Sequence, residues 1–283
     1  MKRTIARALA CAAGVSALLG VAATIGARVG RAQSVHSGAS YPFIYRADFS
    51  LDQYAGLFAE LEQIRTELAR VLALPPPREA VRIVLFQNEA AYREFGKKHL
   101  PSVVYRRALF VKSSGLGTVY AYQSPELPVD LRHEATHGLL HATLGFVPLW
   151  LDEGLAEYFE VAPAQRAAGN PHYQALKWNL RLGIVPRLAR LETRRDISEM
   201  TAGDYRDAWA WVHFMLHGPV EARQELVRFL SDIHAEIPPG QLSQRLEARL
   251  GPIEKRLAEH FRTWTPPAPA PQVRQQTPFV SKR

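Results

Sequence analysis

Residues 131–141 read LRHEATHGLLH and residues 150–160 read WLDEGLAEYFE. Together they restrict the fold more than any other feature of the chain. His133 and His137 are four apart, so on a helix their imidazoles leave one face about a turn apart. Gly145 closes that helix and Pro148 follows, which turns the chain back. The return helix is expected to begin with Asp152 as its N-cap, placing Glu153 in the first turn and Glu157 one turn later on the same face. Two helices must therefore lie in a hairpin, with histidines on one and carboxylates on the other.

His133, Glu134 and His137 form an H-E-x-x-H arrangement: two neutral nitrogens suited to Zn²⁺ and a carboxylate placed to take a proton from water. A catalytic zinc needs a third protein ligand and an open position. His141 does not fit that role. Eight residues of helix separate it from His133, a rise of about 12 Å, whereas zinc bonds are about 2 Å. His141 is expected in the core or beside the ligands. The hairpin can aim Glu153 at the metal as third ligand, and Glu157 could then hold a ligand imidazole through its other N–H.

The rest of the chain reads as strands first and helices after, an α+β layout. YPFIYRAD is a short strand, and Leu57, Leu61, Ile64, Leu68 and Val71 or Leu72 mark a helix that Pro75–Pro77 stop. VRIVLF (81–86) is a central buried strand, and NEAAYREFGKK a helix capped by Asn88. ALFVK and GTVYAYQ form two further strands. The second (117–123) alternates Val119 and Ala121 against Tyr120 and Tyr122, as an edge strand with one wet face would. Helices are expected at about 126–144, 152–161, 172–182, 203–217, 220–235 and 241–264, the last broken at Gly251-Pro252. Residues 41–264 thus form one domain, with an α+β part over 41–145 and a helical part over 146–264. The Pro- and Gln-rich segment 265–283 is expected to be disordered.

Residues 1–32 join a basic start to an apolar run from Ala8 to Ile25, then small residues at Gly30 and Ala32. This is the layout of a secretory signal, or of an N-terminal anchor if uncleaved. The chain is therefore expected to be exported, periplasmic or secreted, with a membrane association only through an uncleaved segment. Lys2, Arg3, Arg7, Arg28 and Arg31 fall in this stretch without an acid. Setting them aside takes the net charge from +8 to +3, with 30 basic against 27 acidic residues. Composition then gives no support to a nucleic-acid partner. The single cysteine, Cys11, also lies there, so any metal in the remainder must be held by His, Asp or Glu.

HEATH followed by WLDEGLAEYFE resembles the gluzincin metallopeptidases, in which HExxH precedes a Glu-bearing helix, often W-L-x-E-G-x-A in the aminopeptidase N class. Thermolysin shares the layout, with a second acid four residues after the ligand Glu. The chain is more closely similar to a bacterial family of exported, peptidase MA-like proteins, over roughly residues 41–218, through VRIVLFQNEAAYREF, GTVYAYQ and the two active-site helices. The resemblance implies His133, His137 and Glu153 as ligands of one Zn²⁺, Glu134 as general base and Glu157 beside a ligand imidazole. It also makes Tyr205 the candidate donor to the oxyanion. Helical periodicity puts His213 on a similar face and makes Trp209, Val212 and Leu216 a core stripe, and the alternative role of Tyr205 is to cap that stripe. Only 15 residues separate His137 from Glu153, fewer than in thermolysin or the aminopeptidases, so the connecting loop must be tight.

These readings converge on an exported zinc peptidase acting on a peptide or protein substrate, which the edge strand 117–123 would bind by strand addition. The other reading is a zinc- and peptide-binding module of the envelope without turnover. Glu134 argues against it, because a pure binding site needs no general base.

Overall fold

The computed structural model describes residues 36–100, 106–112 and 115–265. The expected signal segment, residue pair 113–114 of the turn and the tail from 266 onward lie outside the described residues. The architecture is α+β: a five-stranded mixed sheet with helices against it, then an all-helical second half.

The sheet comprises β1 (His36–Ser40), β2 (Phe43–Ala47), β3 (Val81–Phe86), β4 (Ala108–Val111) and β5 (Thr118–Tyr122), in the order β1-β2-β3-β5-β4. The β2–β3 and β3–β5 pairs are parallel; the two outer pairs are antiparallel. β3 is central, as its continuous apolar run requires. Residues 117–123 are not an edge. β5 lies between β3 and β4, and the four-residue β4 is the edge strand on that side. The alternation that suggested a wet face has a different cause. Tyr120 and Tyr122 pack beneath helix α2 (Glu89–His99), with ring centroids 5.3 Å from Phe95 and 5.4 Å from Tyr92 respectively.

Helix α1 (Ala55–Leu72) buries Leu57, Leu61, Ile64, Leu68 and Leu72, and ends at Ala73, which takes the left-handed conformation before the prolines. Asn88 caps α2 by accepting from the Ala91 N–H at 3.0 Å. Helix α3 (Leu127–Thr143) carries HEATH and lies across β3, β5 and β4. Gly138 permits this seating, because a Cβ there would stand 2.6 Å from Val81 Cγ1.

Helix α4 (Leu149–Phe159) begins three residues earlier than expected. Pro148 precedes it, and its carbonyl accepts from the N–H groups of Leu151 and Asp152 at 2.9 and 3.0 Å. Asp152 is therefore not the cap, and its carboxylate is available for other partners. Nor is α4 amphipathic in its setting: every residue from Trp150 to Phe159 is buried. It lies between α3 and helix α7 (Ala202–His217), its most extensive neighbour. The remaining helices are α5 (His172–Arg181), α6 (Leu188–Leu191), α8 (Val220–His234), α9 (Leu242–Leu250) and α10 (Ile253–Thr263). Four of the expected helices match α5, α7, α8 and the broken α9–α10 pair within a residue or two at each end. A Thr201/Asp204 capping box starts α7, and Arg190 and Arg194 pair with the buried Asp204.

The α4–α7 contact depends on Gly154, where a Cβ would stand 2.7 Å from the carbonyl oxygen of Ala208. A backbone atom cannot yield cheaply. Gly154→Ala is expected to lower folding stability by about 1–3 kcal/mol despite its better helix propensity. Gly56→Ala, on the exposed face of α1 with nothing near its Cβ, should raise stability by about 0.5–1 kcal/mol. Denaturant melts of the two variants check this. Equal shifts would contradict the close α4–α7 approach.

Candidate metal centre

HEATH and the acids of α4 meet in the interior. Asp152, Glu153, Glu157 and Glu160 are 3%, 1%, 3% and 7% exposed, and His133 and His137 are buried with them. Ionised carboxylates are costly at such depth without compensating partners. Each of the four finds an imidazole.

Glu153 Oε2 lies 3.6 Å from His133 Nε2 and 4.0 Å from His137 Nε2, and the three donors stand within 4.8 Å of one another. These gaps exceed hydrogen-bond lengths. They are close to the ~3.4 Å that separates donor atoms each about 2 Å from a shared tetrahedral zinc. His137 Nε2 and Glu153 Oε2 are buried and have no hydrogen-bond partner among the described residues. Buried polar atoms are seldom left so, and a cation between them would satisfy both. The donor chemistry, two imidazoles and one carboxylate with no sulfur, suits Zn²⁺.

The far nitrogens of both imidazoles also face carboxylates. His133 Nδ1 lies 3.1 Å from Glu160 Oε2, so an Nδ1–H that donates there leaves Nε2 facing Glu153. His137 Nδ1 lies 2.9 Å from Asp152 Oδ1, at an angle too oblique for a formed hydrogen bond. The other Asp152 oxygen is 2.9 Å from His141 Nε2. His141 thus stands beside the site through Asp152, consistent with its expected place in the core or near the ligands. Burial would raise the Asp152 pKa, but His137 and His141 hold it well below the usual carboxylate range. Burial would lower the His137 pKa, and the Asp152 carboxylate outweighs it, so His137 is raised. Glu153 is pushed up by burial, against the pull of the two histidines.

Glu134 faces the sheet edge, where the Phe110 N–H of β4 donates to its Oε2 at 2.8 Å. The Phe110 ring stacks near His141 and His137, with centroids 5.6 and 6.5 Å apart. One residue of the edge strand therefore touches both the candidate base and the imidazole face. Glu157 and Glu160 both stand within 4.8 Å of His133, and Glu157 pairs with His172 Nε2 at 2.9 Å. Arg132 ties this end of the hairpin together, donating to the Glu160 carbonyl at 2.6 Å and to Glu60 at 2.7 Å.

Residue spacing alone does not bring Glu160, His172 or Phe110 here, and it points Asp152 to helix capping. A signal for Glu160 was present: acids at 153, 157 and 160 share one helical face. Tyr205 is buried on α7, one turn before Ala208, the residue against Gly154.

No protein-family model matches the chain, and no curated protein does. Among solved structures, the M1 zinc metallopeptidase of Deinococcus radiodurans aligns over 81% of this chain, at 18% identity and a TM-score of 0.44. A single-substitution mutant of that enzyme aligns over the same share, at 19% identity and 0.42. The chain spans about half, 50%, of the length of those structures.

His213 is not part of the centre. Its Nε2–H donates to the Ala167 carbonyl at 2.9 Å, and its Nδ1 is 3.0 Å from His260 Nε2. Trp209, Tyr173, Phe261 and Trp264 surround it. Nδ1 must accept from His260, so an added proton on His213 would set N–H against N–H. Burial, with His217 and His260 nearby, pushes the His213 pKa down to about 2, and burial with His217 pushes His260 down to about 4. Both folded values lie below the ordinary 6.5, so the unfolded chain binds these protons more readily. Their contribution to stability is complete above about pH 6.5 and is lost as pH falls, toward about 4 for His260 and toward about 2 for His213. His213→Gln and His260→Gln should each flatten the stability–pH profile over that window, measured by urea unfolding. Profiles parallel to the parent's would refute the neutral pair.

Proposed function

We propose that the chain is an exported, zinc-dependent peptidase. The observation that carries this reading is the buried trio His133, His137 and Glu153, whose facing atoms converge beside Glu134 with His137 Nε2 and Glu153 Oε2 unsatisfied. Bound there, Zn²⁺ supplies Lewis-acid polarisation of a carbonyl and acidifies water. The chain's own residues supply the rest. Glu134, oriented by the Phe110 N–H, takes a proton from the attacking water and later delivers it to the leaving amine. Glu160 holds the His133 imidazole through Nδ1, Asp152 stands 2.9 Å from His137 Nδ1, and His141 steadies Asp152 from its far side. Tyr205 is the proposed donor to the oxyanion. The signal-like segment 1–32 supports export.

The burial of the trio and the engagement of Glu134 by a backbone N–H also suit a zinc- and peptide-binding module without turnover. One substitution separates the two. As a peptidase, the Glu134→Gln protein should keep its zinc while hydrolysis of an unfolded protein substrate falls by about 10²–10⁴-fold. Glu153→Ala should lose both. Equal hydrolysis by the parent and Glu134→Gln proteins, or none by a parent protein that carries zinc, would contradict the peptidase reading.

A further inference from the structure

Away from the metal centre, three of the most exposed large apolar side chains fall within seven residues. Trp178, Leu182 and Ile184 are 62%, 71% and 54% exposed. Trp178 and Leu182 are one turn apart at the C-terminal end of α5. The chain reverses at Gly183, which takes φ +75°, and Ile184 N–H bonds back to the Asn179 carbonyl at 2.9 Å. The opposite face of α5 places Tyr173 and Leu176 in the core. The three apolar groups are therefore exposed on a segment that the other face of α5 anchors to the core.

Their neighbours are basic. Between Gln174 and Arg190 there is no acidic residue, while Lys177, Arg181, Arg187 and Arg190 are present. Arg190 is engaged with the buried Asp204. Arg181 and Arg187 are exposed, and Lys177 partly so. The Arg181 guanidinium lies 5.1 Å from the centre of the Trp178 ring, so charge and apolar surface are held side by side. The nearest acid in sequence, Glu192, is bonded to Ser243.

We infer that this tip, the last turn of α5 and residues 182–187, docks on an anionic lipid bilayer. Trp178, Leu182 and Ile184 enter the interfacial layer, and Lys177, Arg181 and Arg187 face the headgroup phosphates. The charge selects the occupant. A second copy would bring an equally basic tip, and segment 266–283 holds Arg274, Lys282 and Arg283 with no acid. Among the described residues no helix is long and apolar enough to cross a membrane, so the tip would rest in the interface. The inference does not depend on the peptidase reading.

Tryptophan fluorescence provides a local test in the full chain. Trp150, Trp209 and Trp211 are buried and Trp264 is partly buried, so contact quenching reports mainly on Trp178. Vesicles of brominated phosphatidylcholine with phosphatidylglycerol should quench the emission, and Trp178→Phe should remove most of that quenching. An apolar N-terminal segment inserting on its own would not do this. The double variant Arg181→Glu, Arg187→Glu should need at least about tenfold more anionic lipid for half-maximal quenching, and vesicles without phosphatidylglycerol should quench far less. Absence of quenching, the same quenching in Trp178→Phe, or equal quenching with and without anionic lipid would each overturn the inference. Self-association abolished by Trp178→Ser, without lipid quenching, would assign the tip to a second copy and overturn it as well.

Discussion

Four carboxylates on one buried helix and its C-cap set the terms for the centre of this molecule. Asp152, Glu153, Glu157 and Glu160 cannot remain ionised in the interior without partners, and the partners are His133, His137 and His141 on α3, with His172 at the start of α5. An unpaired buried carboxylate would cost several kcal/mol. The α3–α4 hairpin is thus held by a ladder of imidazole–carboxylate contacts as well as by its apolar faces. His137 Nε2 and Glu153 Oε2 stay unsatisfied where a third donor, His133 Nε2, also converges. That pattern suits a cation better than a further hydrogen bond.

The scaffold holds this ladder from two sides. Gly138 lets α3 settle on Val81 of the central strand, and Gly154 lets α4 settle on the Ala208 carbonyl of α7. Bulk at either place would force α3 away from Val81 or α4 away from the Ala208 carbonyl, and so shift one row of the ladder relative to the other. Phe110 joins the site to the sheet edge through its backbone at Glu134 and its ring at His141 and His137. A substrate pairing with β4 would therefore meet a strand already engaged with the candidate base.

Much of this was legible in the sequence because it is local. Helical spacing brings His133 and His137 to one face, the acids at 153 and 157 share another, and Asn88 caps α2 as its type and position require. What escaped depends on distant parts of the chain. Alternation along residues 117–123 shows two different faces, but not whether water or α2 covers the tyrosines, so strand order could not follow from it. β1, HSGAS, has no β-branched or aromatic residue, and its strand conformation comes from antiparallel pairing with β2. Asp152 has the type of an N-cap, yet Pro148 had already begun the helix, and the carboxylate's partners lie on the preceding helix. Complete burial of α4 depends on α7, some fifty residues later in the chain.

The most direct test of the account is the coordination shell of the metal-loaded chain, measured by X-ray absorption at the zinc edge with elemental analysis for stoichiometry. The account predicts one zinc per chain, bound by two imidazole nitrogens and carboxylate or water oxygens, without sulfur. No zinc retained after reconstitution, or a shell with other than two imidazoles, would contradict it and leave the ladder as a structural device for burying acids.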